Sequence, residues 1–151
     1  LPISCACDKV FQSFSWRSLN EVNPEELQGS GVYAIRVQSR GLPVEEAIDN
    51  VKKLLSKFNW LKFEEYALAK ISKLRKLSDC PILYIGAAYS LKQKYSLLYR
   101  ARHPIFPALA SLLISGWRFE IGWLSSPNPG VTESLIKRQY FEIHGEFPVL
   151  V

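Results

Sequence analysis

A chain of 151 residues has the length of one domain and can bury a core without disulfide or metal staples. Hydrophobic residues make up 48% and charged residues 22%, which excludes a disordered chain, and no apolar run reaches the length of a membrane span. The net charge of +5 mildly favours a polyanionic partner, and the expectation is a soluble, cytoplasmic protein.

Near the start, Val10, Phe11, Phe14 and Trp16 fit either an edge strand or an irregular arm packed on the core. Asn23-Pro24-Glu25-Glu26-Leu27 reads as a short helical turn, with Asn23 as its cap and Pro24 at the first helical position. A strand is expected over 31–38, opening on Gly31-Val32-Tyr33-Ala34-Ile35. Apolar residues then recur at helical spacing from Val44 to Phe58 and again from Leu61 to Leu77. Two amphipathic helices joined near Asn59 make a hairpin inserted over 43–79. Its polar faces carry both signs of charge, the usual pattern of a solvated surface. Lys70, Lys73, Arg75 and Lys76 form the cluster best suited to phosphate contact.

A second strand is expected in Cys80-Pro81-Ile82-Leu83-Tyr84-Ile85-Gly86. Ser90 caps a helix that runs to His103, where Pro104 and Pro107 break it. A short apolar helix over 108–114 and an alternating strand over 117–124 follow. Residues 125–130 read as a loop, and Thr132 as the cap of a last helix. Glu133 falls in its first turn, and Leu135, Ile136, Tyr140 and Ile143 form its buried face. Residues 147–151 read as extended. The sum is one α/β (α+β) domain with a small, mostly antiparallel central sheet of about three strands flanked by helices.

Three cysteines make an odd count. Cys5 and Cys7 are too close in sequence to pair comfortably, and Cys80 stands alone before an apolar strand. Reduced thiols, with Cys80 partly buried, are the expectation, since the cysteines and the distant His103 and His144 offer no obvious ligand set.

In a strand, side chains alternate between faces, so Tyr33 and Tyr84 can leave the core side by side if their two strands pair. The segments Gly31-Val32-Tyr33 and Tyr84-Ile85-Gly86 resemble the signature of the GIY-YIG nuclease superfamily, and the order of elements after Gly86 adds to the likeness. The resemblance spans about residues 29–151, interrupted by the hairpin. It implies a metal-dependent endonuclease that hydrolyses phosphodiester bonds in DNA, with Mg²⁺ or Mn²⁺ held by Glu133. Tyr33 and Tyr84 would activate or orient the water and grip the phosphate. Read without the resemblance, Glu133 complements a helix dipole and the tyrosines are half-buried strand aromatics.

The family pattern puts an arginine about two helical turns beyond the second glycine, and here that register lands on Lys94. Arg100 and Arg102 supply a guanidinium if the helix is longer or shifted, and His103 can assist proton transfer. A family asparagine after a proline near the C-terminus has no counterpart, since Val149 follows Pro148. These departures keep an alternative in view, a nucleic-acid-binding module on the same fold that has lost cleavage. RNA is the alternative polyanion, and a protein partner at the hairpin, through Trp60 and Phe63, is a third reading.

Overall fold

The computed structural model describes residues 4–57, 61–100 and 102–151, with the backbone alone for 61–64. Four strands form one open, wholly antiparallel sheet: β1 (Ser15–Ser18), β2 (Gly31–Ser39), β3 (Ile82–Ala88) and β4 (Arg118–Ser125), in the order β1-β4-β2-β3. Among the described residues five α-helices cover it: α1 (Val44–Ser56), α2 (Leu61–Ser72), α3 (Leu91–Tyr99), α4 (Phe106–Leu113) and α5 (Pro129–His144). The sheet thus has one strand more than expected. The extra one is β1, an edge strand of four residues in the segment that sequence left open between strand and arm.

β2 is central, paired on both sides and covered on both faces, so it carries the near-continuous apolar run that a doubly buried strand requires. Its odd positions Tyr33, Ile35 and Val37 join Phe119, Ile121 and Trp123 of β4 under the inserted helices and α4. Its even positions Val32 and Ala34 face Cys7, Phe11, Phe14, Ile136 and Tyr140 on the other side. Helices α1 and α2 bury Ala47, Ile48, Ala67 and Ile71 against that first face. Leu54 and Tyr66 share the helical stripes by spacing yet remain about half exposed. Trp60 lies outside the described residues, as does the Phe63 side chain, and with them the proposed protein contact.

β3 breaks strict alternation. Ile35 pairs with Tyr84 but Arg36 pairs with Ile82, so Leu83 is an extra residue, a β-bulge. The bulge puts Leu83 and Tyr84 together on the hairpin face and Ile82 and Ile85 together on the α5 face. The displaced Leu83 carbonyl accepts the Leu150 N–H at 2.9 Å. Residues 148–151, expected to be extended, close a turn through Val151 N–H to the Pro148 carbonyl at 3.0 Å.

Local capping explains the helix limits. Asn23 and Ser90 each accept a backbone N–H from the turn they open, as expected. α3 ends at Tyr99, short of His103: Arg100 N–H still bonds the Ser96 carbonyl four residues back, but Arg102 N–H bonds the Leu97 carbonyl five residues back, a wider loop that closes the helix. α5 starts at Pro129, three residues before Thr132, because proline fits the first turn, where its missing N–H costs nothing. Thr132 is therefore inside the helix, its hydroxyl 2.7 Å from that of Ser126, and Glu133 lies in the second turn. Of the expected buried face, Ile136 and Tyr140 are buried while Leu135 is 46% exposed. No described helix is long and apolar enough to cross a membrane.

Candidate functional site

Register brings the two tyrosines together. Tyr33 stands opposite Gly86 and Ile35 opposite Tyr84, so both phenols project from one face, ring centroids 5.8 Å apart. Gly86 is the floor of this arrangement. A Cβ at that position would sit 2.7 Å from the Tyr33 Cζ and hydroxyl and 2.7 Å from Tyr84 Cε1. We expect Gly86→Ala to destabilise the protein by about 1–2 kcal/mol, read by urea denaturation, because both rings are packed and cannot step aside cheaply.

His103, in the loop before α4, closes the group. Its Nε2 lies 2.7 Å from the Tyr33 hydroxyl, and its ring meets Tyr33 and Tyr84 edge-on at centroid distances of 6.0 and 5.4 Å. Its Nδ1 accepts the Ile105 N–H at 3.2 Å. An imidazole nitrogen that accepts carries no proton, so the neutral ring holds its proton on Nε2 and donates it to the Tyr33 oxygen. The Tyr33 proton is then free to point toward Tyr84. Burial, and the positive charge of Lys94, hold the His103 pKa down at about 4, so the ring is neutral at pH 7.

The phenols move the other way. Burial pushes the Tyr33 hydroxyl well above the ordinary phenol range, and the neighbouring Tyr84 and the Glu133 carboxylate push it further. Tyr84, half-buried, is raised by burial and by Glu133, while its hydrogen-bonding interaction with Tyr33 pulls it back. Both are protonated at neutral pH. Neither is a base; both are donors.

Glu133 belongs to α5, which packs on the other face of the sheet, and it acts on this group as a negative charge sensed by both phenols. Its carboxylate lies 3.4 Å from Lys137 Nζ one turn on, each side chain 24% exposed. As a metal ligand Glu133 stands alone: it belongs to no group of three or more Cys, His, Asp or Glu that converge on one point among the described residues. A lone carboxylate does not make a caged ion site.

Lys94, on α3, shares a small cavity wall with Tyr33, Leu98 and Trp123, and its charge is felt by His103. Lys94 thus lies beside Tyr33 and within electrostatic reach of His103. Arg100 and Arg102 are exposed; Arg100 lines a separate depression with Asn20, Tyr99 and Lys92. In the hairpin, Arg75 is paired with Glu45 at 3.1 Å and Lys70 lies 5.6 Å over the Tyr66 ring, while Lys73 and Lys76 are exposed. Sequence named His103 only as an assistant. Its bond to Tyr33 spans 70 positions and had no local signal.

No family model, curated protein or solved structure matches this chain.

Proposed function

We propose that this chain is a metal-dependent endonuclease that hydrolyses phosphodiester bonds in DNA, acting through Tyr33, Tyr84, Lys94, His103 and Glu133. The observation that supports it most is the grouping itself: two phenols from β2 and β3 and a neutral imidazole from the loop before α4 are in contact, the imidazole senses a cation on α3, and both phenols sense a carboxylate on α5. Such a set answers the needs of phosphodiester hydrolysis, in which negative charge builds on the phosphate and must be met by donors and cations. A divalent ion at Glu133 would acidify the attacking water and neutralise that charge.

The chain's own residues do the rest. His103 orients the Tyr33 hydroxyl, Tyr33 directs its proton toward Tyr84, and Tyr84, the more exposed of the two, donates to a phosphate oxygen. Lys94 supplies positive charge from behind. Lys73 and Lys76, with Lys70 and Arg75, would meet the backbone further along the duplex.

Two observations favour a binding module without cleavage: Glu133 is already paired with Lys137, and Tyr33 is only 4% exposed. Incubation with supercoiled and single-stranded DNA, in Mg²⁺ or Mn²⁺ and in chelator, separates the two. Metal-dependent nicking is the expected result; salt-sensitive binding without cutting supports the module. RNA in the same assay tests the polyanion. Lys94→Gln should lower the cleavage rate about 100-fold, the scale of losing one preorganised charge donor, whereas Arg100→Gln and Arg102→Gln should leave it nearly unchanged.

A further inference from the structure

Four potential metal ligands meet on the opposite face of the sheet. Cys5 immediately precedes the 3-10 turn Ala6–Phe11, Cys7 lies within it, Cys80 leads into β3, and His144 is the last residue of α5. The sequence expectation that these residues offer no ligand set is corrected here, because folding brings together side chains up to 139 positions apart. Their ligand atoms all lie within 4.8 Å of one another.

The separations have a specific meaning. Cys7 Sγ lies 3.6 Å from Cys80 Sγ, and Cys5 Sγ lies 3.5 Å from His144 Nε2. In a tetrahedron with Zn–S of about 2.3 Å and Zn–N of about 2.0–2.1 Å, neighbouring ligand atoms are about 3.8 Å apart for two sulfurs and about 3.6 Å for sulfur and nitrogen. Two opposite edges of such a tetrahedron are already in place.

We propose that Cys5, Cys7, Cys80 and His144 form a zinc site that staples the N-terminal arm to β3 and to the end of α5. Three thiols and an imidazole suit Zn²⁺ and are too soft for Mg²⁺. They fill all four tetrahedral positions, so the site is structural, with no place left for substrate. Cys7 and Cys80 are buried, while Cys5 and His144 keep partial contact with solvent, which leaves a route for the ion. Tyr140, one turn before His144, donates its hydroxyl to Cys80 Sγ at 3.3 Å and packs its ring 4.5 Å from the imidazole, the support that metal ligands commonly receive. Zn²⁺ enters, each un-ionised thiol gives up its proton, and nothing is oxidised or reduced. Tyr33 lies on the other face, so the zinc site stands or falls independently of the proposed nuclease activity.

The test is metal analysis of the purified full chain after reconstitution with Zn²⁺ alone and dialysis, with Co²⁺ as a spectroscopic substitute. One Zn²⁺ per chain and a Co²⁺ spectrum of tetrahedral thiolate type are expected, with affinity falling as pH is lowered. Tyr140→Phe should weaken binding about 10- to 100-fold. His144→Ala should weaken it further, and His144→Cys should restore it. If His144→Ala does not fold, Zn²⁺ stoichiometry and the Co²⁺ spectrum of the wild-type chain still decide. No retained Zn²⁺ with three freely reactive thiols, a Cys7–Cys80 disulfide in place of metal, or an iron–sulfur cluster would each overturn the proposal.

Discussion

If the proposed function holds, Glu133→Gln should lower the rate of phosphodiester cleavage on the order of a thousandfold, equivalent to about 4 kcal/mol of lost transition-state stabilisation. The substitution keeps the shape and removes the charge, so the cost falls on the cation that the carboxylate would hold. The fold should survive, because Lys137, the partner left behind, is 24% exposed and can turn to water. A second readout does not depend on activity. Glu133 pushes both phenols upward, so Glu133→Gln should lower the Tyr84 pKa, followed by ultraviolet titration. Lys137→Gln should act in the opposite sense, freeing the carboxylate and raising cleavage at limiting Mg²⁺.

Stability should fall as pH drops from about 6.5 to about 4, by up to about 3 kcal/mol, because of His103. Burial depresses its pKa in the folded chain to about 4, whereas the unfolded chain protonates it near 6.5. Between those values the unfolded state binds more protons, so acid favours unfolding; above 6.5 the contribution is complete, and below 4 the loss levels off. The structural cause is specific: a second proton on His103 would have to displace the Ile105 N–H from Nδ1, in a site 5% exposed and close to Lys94. Urea denaturation at several pH values measures it. The slope should shrink in His103→Gln, and the difference isolates this residue from His144, the other histidine.

Much of the sheet and hairpin was legible because periodicity is a local signal. β2 and β3 showed themselves by their apolar runs, the hairpin by its spacing, and Asn23 and Ser90 by capping chemistry. The facing of Tyr33 and Tyr84 was also within reach of alternation, although the bulge at Leu83 that sets Tyr84 on the shared face was not. β1 stayed open between an edge strand and an arm because four partly exposed residues at an edge carry almost no pattern. The start of α5 was misplaced because Pro129-Gly130 looks like a turn, while proline equally suits a helix entrance. The register of the family pattern pointed to Lys94 as one candidate cation beside Arg100 and Arg102. The pairing of His103 with Tyr33, and the gathering of Cys5, Cys7, Cys80 and His144, depend on contacts between distant segments that no short window contains. An odd trio of cysteines with a C-terminal histidine was the one available hint.

A double-mutant cycle on plasmid nicking in Mg²⁺, with wild type, Tyr84→Phe, Glu133→Gln and the combined variant, tests most directly whether these residues act as one site. Groups that serve the same phosphate lose their effects together, so the combined variant should be little slower than Glu133→Gln alone. Nicking absent from the wild type, or two losses that multiply in full, would contradict the proposed site.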